Sequence, residues 1–243
     1  MNIRCLKLVN NSISNIGRNA FCGMKLQVLD LSFNAISDIS LSVICRSKIT
    51  IGQDDRGIPE YLSERLHVQL PNSLQYLNLS HNAITNIYQY SFMHAISLIN
   101  LDLSHNNIDT LNFGWDKHLR YLEILDLSNN RLVSFDFGTF TSLVSLRHLN
   151  LTSNNLYYFA SNIFITTRNL NILDLSRNRI RMIDETALKK YIPTLIYLNV
   201  SDNNWDCKSL QNLILSSLDR FEVVEHDNYN RMNVKGIACL DYK

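Results

Sequence analysis

Two stretches one interval apart decide how this chain folds: "LINLDLSHNNI" at Leu98 to Ile108 and "LEILDLSNNRL" at Leu122 to Leu132. Both place leucine at the first, fourth and sixth positions, asparagine at the ninth and an aliphatic residue at the eleventh. Within "ILDLS" the apolar Leu125 and Leu127 alternate with Asp126. A period of two belongs to a short strand that turns one face inward and the other to solvent. The asparagine follows the strand, where an amide with two donors and an acceptor can satisfy the backbone of the turn.

Extending the template in both directions finds starts at Ile3, Leu26, Leu74, Leu98, Leu122, Leu146, Leu170 and Leu195. From Leu74 to Leu170 the interval is constant at 24 residues (98 minus 74), whereas Leu26 to Leu74 spans 48, twice as far. The double interval predicts a degenerate copy around Lys48 to Asp54, and so about nine coils. The asparagine recurs as Asn34, Asn82, Asn106, Asn130, Asn154, Asn178 and Asn203, and Phe21, Phe92, Phe140 and Phe164 recur on the return segments, where they are expected to fill the core. Eight copies of L-x-x-L-x-L-x-x-N-x-L identify the pattern as the leucine-rich repeat. The implied fold is an α/β solenoid, a horseshoe whose strands form a parallel concave sheet and whose coils bury their faces only against one another. Residues 1-205 read as repeats, with a degenerate, longer coil at about 46-73, and residues 206-243 as a C-terminal cap. The stretch Gly52 to Ser73 loses the leucines, and such insertions can carry a binding loop.

In the cap, Trp205 takes the repeat's aliphatic position, and Asp206 can N-cap a helix that carries Leu210, Leu213, Ile214 and Leu218 on one side. Cys207 and Cys239 flank this segment, and a bridge closing their 32-residue separation (239 minus 207) contributes about 3 to 4 kcal/mol by loop entropy. Cys22 and Cys45 each lie 19 residues after a coil start, so they hold one place in consecutive coils about 5 Å apart; they read as a second bridge or as two small buried thiols. Cys5 is left over, outward-facing on the first strand. Because Ile3 already begins a repeat, an upstream leader or cysteine-containing cap is expected to cover the first coil.

The segments "NNWDCKSLQNLI" and "GIAC" resemble the cap of extracellular leucine-rich-repeat proteins, in particular the secreted leucine-rich immune proteins of mosquitoes. That family's cap carries more cysteines and precedes coiled-coil helices, whereas this sequence has two cap cysteines. The resemblance implies an extracellular location, pathogen defence and complement-like protein partners. Sequons at Asn10, Asn78, Asn150 and Asn199 would accept glycans in a secreted chain.

Lysine plus arginine number 23 against 22 acids, which gives no broad attraction for nucleic acid or an acidic membrane, and no apolar run reaches the roughly 20 residues of a membrane span. No Gly-rich phosphate loop, nucleophile elbow or metal-ligand motif occurs, so neither catalysis nor a cofactor is expected. His81 and His105 share a place in adjacent coils without an evident third metal ligand. The outward column Lys7, Asp30, Thr50, Asn78, Asp102, Asp126, Asn150, Asp174, Asn199 forms an acidic strip with amides. Beside it stand Tyr76, Ile99, Ile124, Ile172, Ile196 and Tyr197, with Arg147 and His148 nearby. Apolar and aromatic residues exposed on strands mark a contact surface. The expected function is a protein-recognition module that holds its partner on the concave face or the inserted coil. Its rivals are the ectodomain of a cell-surface receptor or adhesion protein, and an intracellular scaffold with reduced cysteines.

Overall fold

The computed structural model describes residues 3–16, 20–21, 23–39, 72–89, 91–92, 95–217, 220–224 and 232–241, and the backbone of 42–43 and 67–68. Its main sheet has nine strands, each parallel to the next. They are β1 (Cys5–Lys7), β2 (Val28–Asp30), β3 (Tyr76–Asn78), β4 (Asn100–Asp102), β5 (Ile124–Asp126), β6 (His148–Asn150), β7 (Ile172–Asp174), β8 (Tyr197–Asn199) and β9 (Glu222–Val223). The register is that of the repeat: Leu101 faces Leu125, Leu125 faces Leu149 and Leu149 faces Leu173, all of them buried. The α/β solenoid is therefore the fold.

Val28 pairs directly with Tyr76, Leu29 with Leu77 and Asp30 with Asn78, so β2 and β3 are neighbours in the sheet. The degenerate copy expected around Lys48 to Asp54, with Thr50, lies outside the described residues. Ser42–Val43 and His67–Val68 pair in parallel in a separate two-stranded sheet. The ninth strand of the main sheet comes from the cap, where Glu222 aligns with Tyr197 and Val223 with Leu198.

The recurring asparagine explains how the coils lock. Asn130 donates its amide to the carbonyls of Leu103 at 3.0 Å, Leu127 at 3.0 Å and Ser128 at 3.2 Å, and its Oδ1 accepts from the Ile108 amide at 3.0 Å. Leu103 and Ile108 belong to the preceding coil, so one side chain serves the turn behind and its own. Asn34, Asn82, Asn106, Asn154, Asn178 and Asn203 repeat the arrangement. Asn82 reaches Leu31 across 51 positions of sequence, so the contact between neighbouring turns is the same here as elsewhere in the stack.

Behind the sheet, Phe21, Phe92, Phe140 and Phe164 are buried as expected. In the Leu98 coil the position equivalent to these phenylalanines is Asp116, and the preceding Trp115 supplies the missing ring, packing edge-on against Phe92 and Phe140. Asp116 is consequently fully buried: Oδ2 accepts the Ser142 amide at 2.7 Å, while Oδ1 has no hydrogen-bond partner. Burial raises its pKa above the usual carboxylate value, and hydrogen bonds from the Ser142 and Asp116 amides oppose the rise.

The convex side is mostly turns, with a short α1 (Glu185–Tyr191) whose N-cap Asp184 accepts from Thr186 and Ala187. The cap helix α2 (Cys207–Ser217) starts at Asp206, whose Oδ2 accepts the Ser209 amide at 2.8 Å, and buries Leu210, Leu213 and Ile214. Leu218 lies outside the described residues. Trp205 is wholly buried and donates its indole hydrogen to the Val200 carbonyl at 2.7 Å. The Cys207–Cys239 disulfide is present, with the Cα atoms 4.9 Å apart. The Cys22–Cys45 pairing falls outside the described residues, and Cys5 is an exposed free thiol.

Two outcomes test this account. Replacing Asn130 with alanine strips partners from buried carbonyls in two coils and should cost about 3 kcal/mol, read as a lower denaturant midpoint; a shift below about 0.5 kcal/mol would remove the ladder from its central role. For Asp116 the folded pKa lies above the unfolded one, so its contribution to stability is greatest at low pH and is lost as pH rises through the folded value. The stability of the wild type relative to Asp116→Asn should therefore decline as pH rises above the ordinary aspartate range, and a flat difference would contradict it.

Candidate functional site

The open face of the sheet is built by alternation. In each strand the middle leucine points into the core, so the residues on either side of it form two outward rows. The first row, fixed by strand register, runs Val28, Tyr76, Asn100, Ile124, His148, Ile172, Tyr197, Glu222. Five of the eight residues expected at a contact surface, Tyr76, Ile124, His148, Ile172 and Tyr197, thus share a single row. Tyr76 is 46% exposed and Ile124 and Ile172 are each 36% exposed. Arg147 lies one residue before β6 and is paired with Glu123 at 3.5 Å. Ile99 and Ile196 occupy that same flanking position in their own coils, and Ile196 is well exposed.

The second row is the acidic one: Asp30, Asn78, Asp102, Asp126, Asn150, Asp174 and Asn199. Its members are half-buried and each accepts, through Oδ1, the backbone hydrogen of the Ser or Thr two residues later. Asp126 does so from Ser128 at 2.8 Å and Asn150 from Thr152 at 3.1 Å. The site needs a side-chain oxygen on a short stem, which Asp and Asn supply equally. The Asn78, Asn150 and Asn199 sequons follow from that requirement, since the repeat word already contains the hydroxyl residue. In two of them the amide nitrogen is engaged with the neighbouring strand, Asn150 with Asp126 at 2.9 Å and Asn199 with Asp174 at 3.0 Å. The remaining sequon residue, Asn10, is exposed on the turn after β1 and has a left-handed backbone, φ 56°.

Beyond the second row lies a rim that the repeat pattern conceals. Phe33, His81, His105, Asn129, Ser153, Arg177 and Asp202 each precede the ladder asparagine and all have φ between 51° and 56°. Their backbones are left-handed, which projects successive side chains in parallel along the rim. Phe33, His81 and His105 form a continuous ring stack, with centroids 4.0 Å apart at both steps. The His81 pKa is lowered by burial and by the charge of His105, with Asp102 opposing. Face-to-face rings aim their nitrogens in parallel planes rather than at a common point. Among the described residues no group of three metal-ligating side chains occurs.

A further exposed surface, which the strand-based reading does not reveal, lies on the flank after the asparagine turn. Phe113 is 80% exposed and rests near Gly138 of the next coil; Phe137, Tyr157 and Tyr158 are exposed on neighbouring coils. Its only signal in the sequence is the aromatic pair at the same offset in two consecutive coils, Phe113 and Phe137. A hollow behind β2 and β3 is lined, among the described residues, by Ile16, Leu31, Ile39, Leu77, Leu79, Ser91 and Phe92, of which Ser91 alone is polar. The open sheet face offers contact area and charge.

A family model described as leucine rich repeat matches residues 72–119 and 96–156, and a second of the same description matches residues 24–45. A search of curated proteins finds no match. The matched segments cover strands β2 to β6, and the same register continues through β7 and β8. Over these matched residues the sequence repeat, the parallel sheet and the family matches agree on leucine-rich repeats.

Proposed function

We propose that the chain is a non-enzymatic recognition module of the extracellular space, serving innate immunity by holding a protein partner on its concave face. The observation that carries the reading is the row Tyr76, Ile124, His148, Ile172, Tyr197. A sheet face left open to water gains nothing from exposed isoleucine and tyrosine, whereas a partner that covers them gains their burial. Leucine-rich repeats suit this role because stacked coils present an extended surface on one side. Complement-like partners and pathogen defence come from the resemblance of the cap segment to the secreted mosquito proteins.

The Cys207–Cys239 disulfide supports an oxidising compartment, where such bridges persist, and speaks against the scaffold with reduced thiols. Among the described residues no helix is long and apolar enough to cross a membrane. Glycans on Asn10, Asn78, Asn150 and Asn199 belong to the same proposal, as does the division into repeats and cap at residue 206.

Expressed behind a secretion leader and immobilised, the protein should capture a soluble partner from extracellular fluid. The triple variant Tyr76→Ser, Ile124→Ser, Ile172→Ser should lose at least about 90% of that capture while keeping its unfolding midpoint, since each side chain is already exposed. Undiminished capture by the variant would move the binding site elsewhere. Intact mass with thiol labelling checks the compartment: glycan mass and unreactive Cys207 are expected, and retention in the cell with a reactive Cys207 would refute it.

A further inference from the structure

The chemistry of the two outward rows goes further and specifies the shape of an occupant. From β3 to β7 the first row carries apolar side chains on every second strand, Tyr76 on β3, Ile124 on β5 and Ile172 on β7, with Asn100 and His148 between them, while Val28 on β2 and Tyr197 on β8 adjoin this stretch at its two ends. Neighbouring strands are about 4.8 Å apart, so the apolar positions recur about every 9.6 Å. Beside them Asp102, Asp126 and Asp174 supply three carboxylates, and the row from Asp30 to Asn199 holds no cation. Arg147 and Arg177 are engaged with other carboxylates, Arg147 with Glu123 and Arg177 with Asp202 at 3.7 Å.

A ligand lying across the strands must match both the spacing and the charge. An extended β-strand repeats its facing side chain about every 6.6 Å, which fits neither one strand interval nor two. An α-helix advances about 5.4 Å per turn and would present a group to every strand, including those that carry Asn100 and His148. A polyproline II segment has three residues per turn and rises about 3.1 Å per residue, so its facing residues recur about every 9.3 Å, within about 0.3 Å of the apolar spacing. Its second side-chain column is then carried along the neighbouring acidic row.

Resting on the concave-face reading above, we infer that the occupant is a cationic polyproline II segment that runs across β3 to β7, placing an apolar residue at every third position on Tyr76, Ile124 and Ile172 and lysine or arginine beside Asp126 and Asp174, which like the apolar positions stand two strands apart. The preformed conformation of such a segment limits the ordering entropy lost on binding, and aromatic and aliphatic side chains are suitable surfaces for proline rings.

The test uses three fluorescent 15-residue peptides: Pro-Gln-Lys repeated five times, the same with glycine for proline, and the same with glutamate for lysine. Anisotropy at low salt should detect binding of the first, at least about tenfold weaker binding of the second and none of the third. The pair Asp126→Asn with Asp174→Asn should weaken binding about tenfold. Asparagine already fills this position at 78, 150 and 199, so the turns remain intact. The pair Ile124→Ser with Ile172→Ser should weaken it by a similar factor. Equal binding of the glycine peptide, indifference to either pair of substitutions, or no binding by any peptide overturns the inference. Capture that still depends on Ile124 and Ile172 would then preserve the concave-face reading with a different occupant; if capture fails as well, both readings fall.

Discussion

The structure depends on one side chain used repeatedly: an asparagine amide shared between the turn of its own coil and the turn behind. A coil of this kind leaves backbone carbonyls pointing into a tight bend where neither strand nor helix pairs them, and buried carbonyls without partners are costly. Asn130 satisfies three and accepts one amide in return. The residue before it pays with a left-handed backbone, seen from Phe33 through Asp202. Fixing the turn then fixes strand register, and register places Tyr76, Ile124 and Ile172 in one outward row.

Legibility in the sequence followed the strength of this local constraint. The strands, the buried leucines, the phenylalanine column and the cap helix were readable because each rests on a residue type that recurs at a fixed offset. Between Leu26 and Leu74, where the leucines are lost, the double interval is the one signal of the degenerate copy. The cap strand escaped the pattern altogether. Glu222 and Val223 carry no repeat word and enter the sheet only because α2 delivers them to its edge.

At the candidate site, the rows were foreseen and their internal order was not. Treating Ile99, Arg147 and Ile196 as equivalent to the strand residues blurred an alternation that appears once they are assigned to the position before each strand. The Phe33–His81–His105 stack was hidden by backbone conformation, since nothing in the residue types reveals that the position is left-handed throughout. Asp116 was invisible as well. Its burial follows from a one-residue exchange in which Trp115 takes the ring position and leaves the carboxylate inside.

The Cys207–Cys239 link has a mechanical meaning for a molecule assembled in series. Because each coil grips only its neighbours, tension applied at the two ends would peel the stack one coil at a time, and each 24-residue coil would release up to about 85 Å of contour. At the carboxyl end the covalent link spans 32 residues and withholds them from extension. The cap thus acts as a fixed anchorage, and yielding would be confined to the coils outside the link.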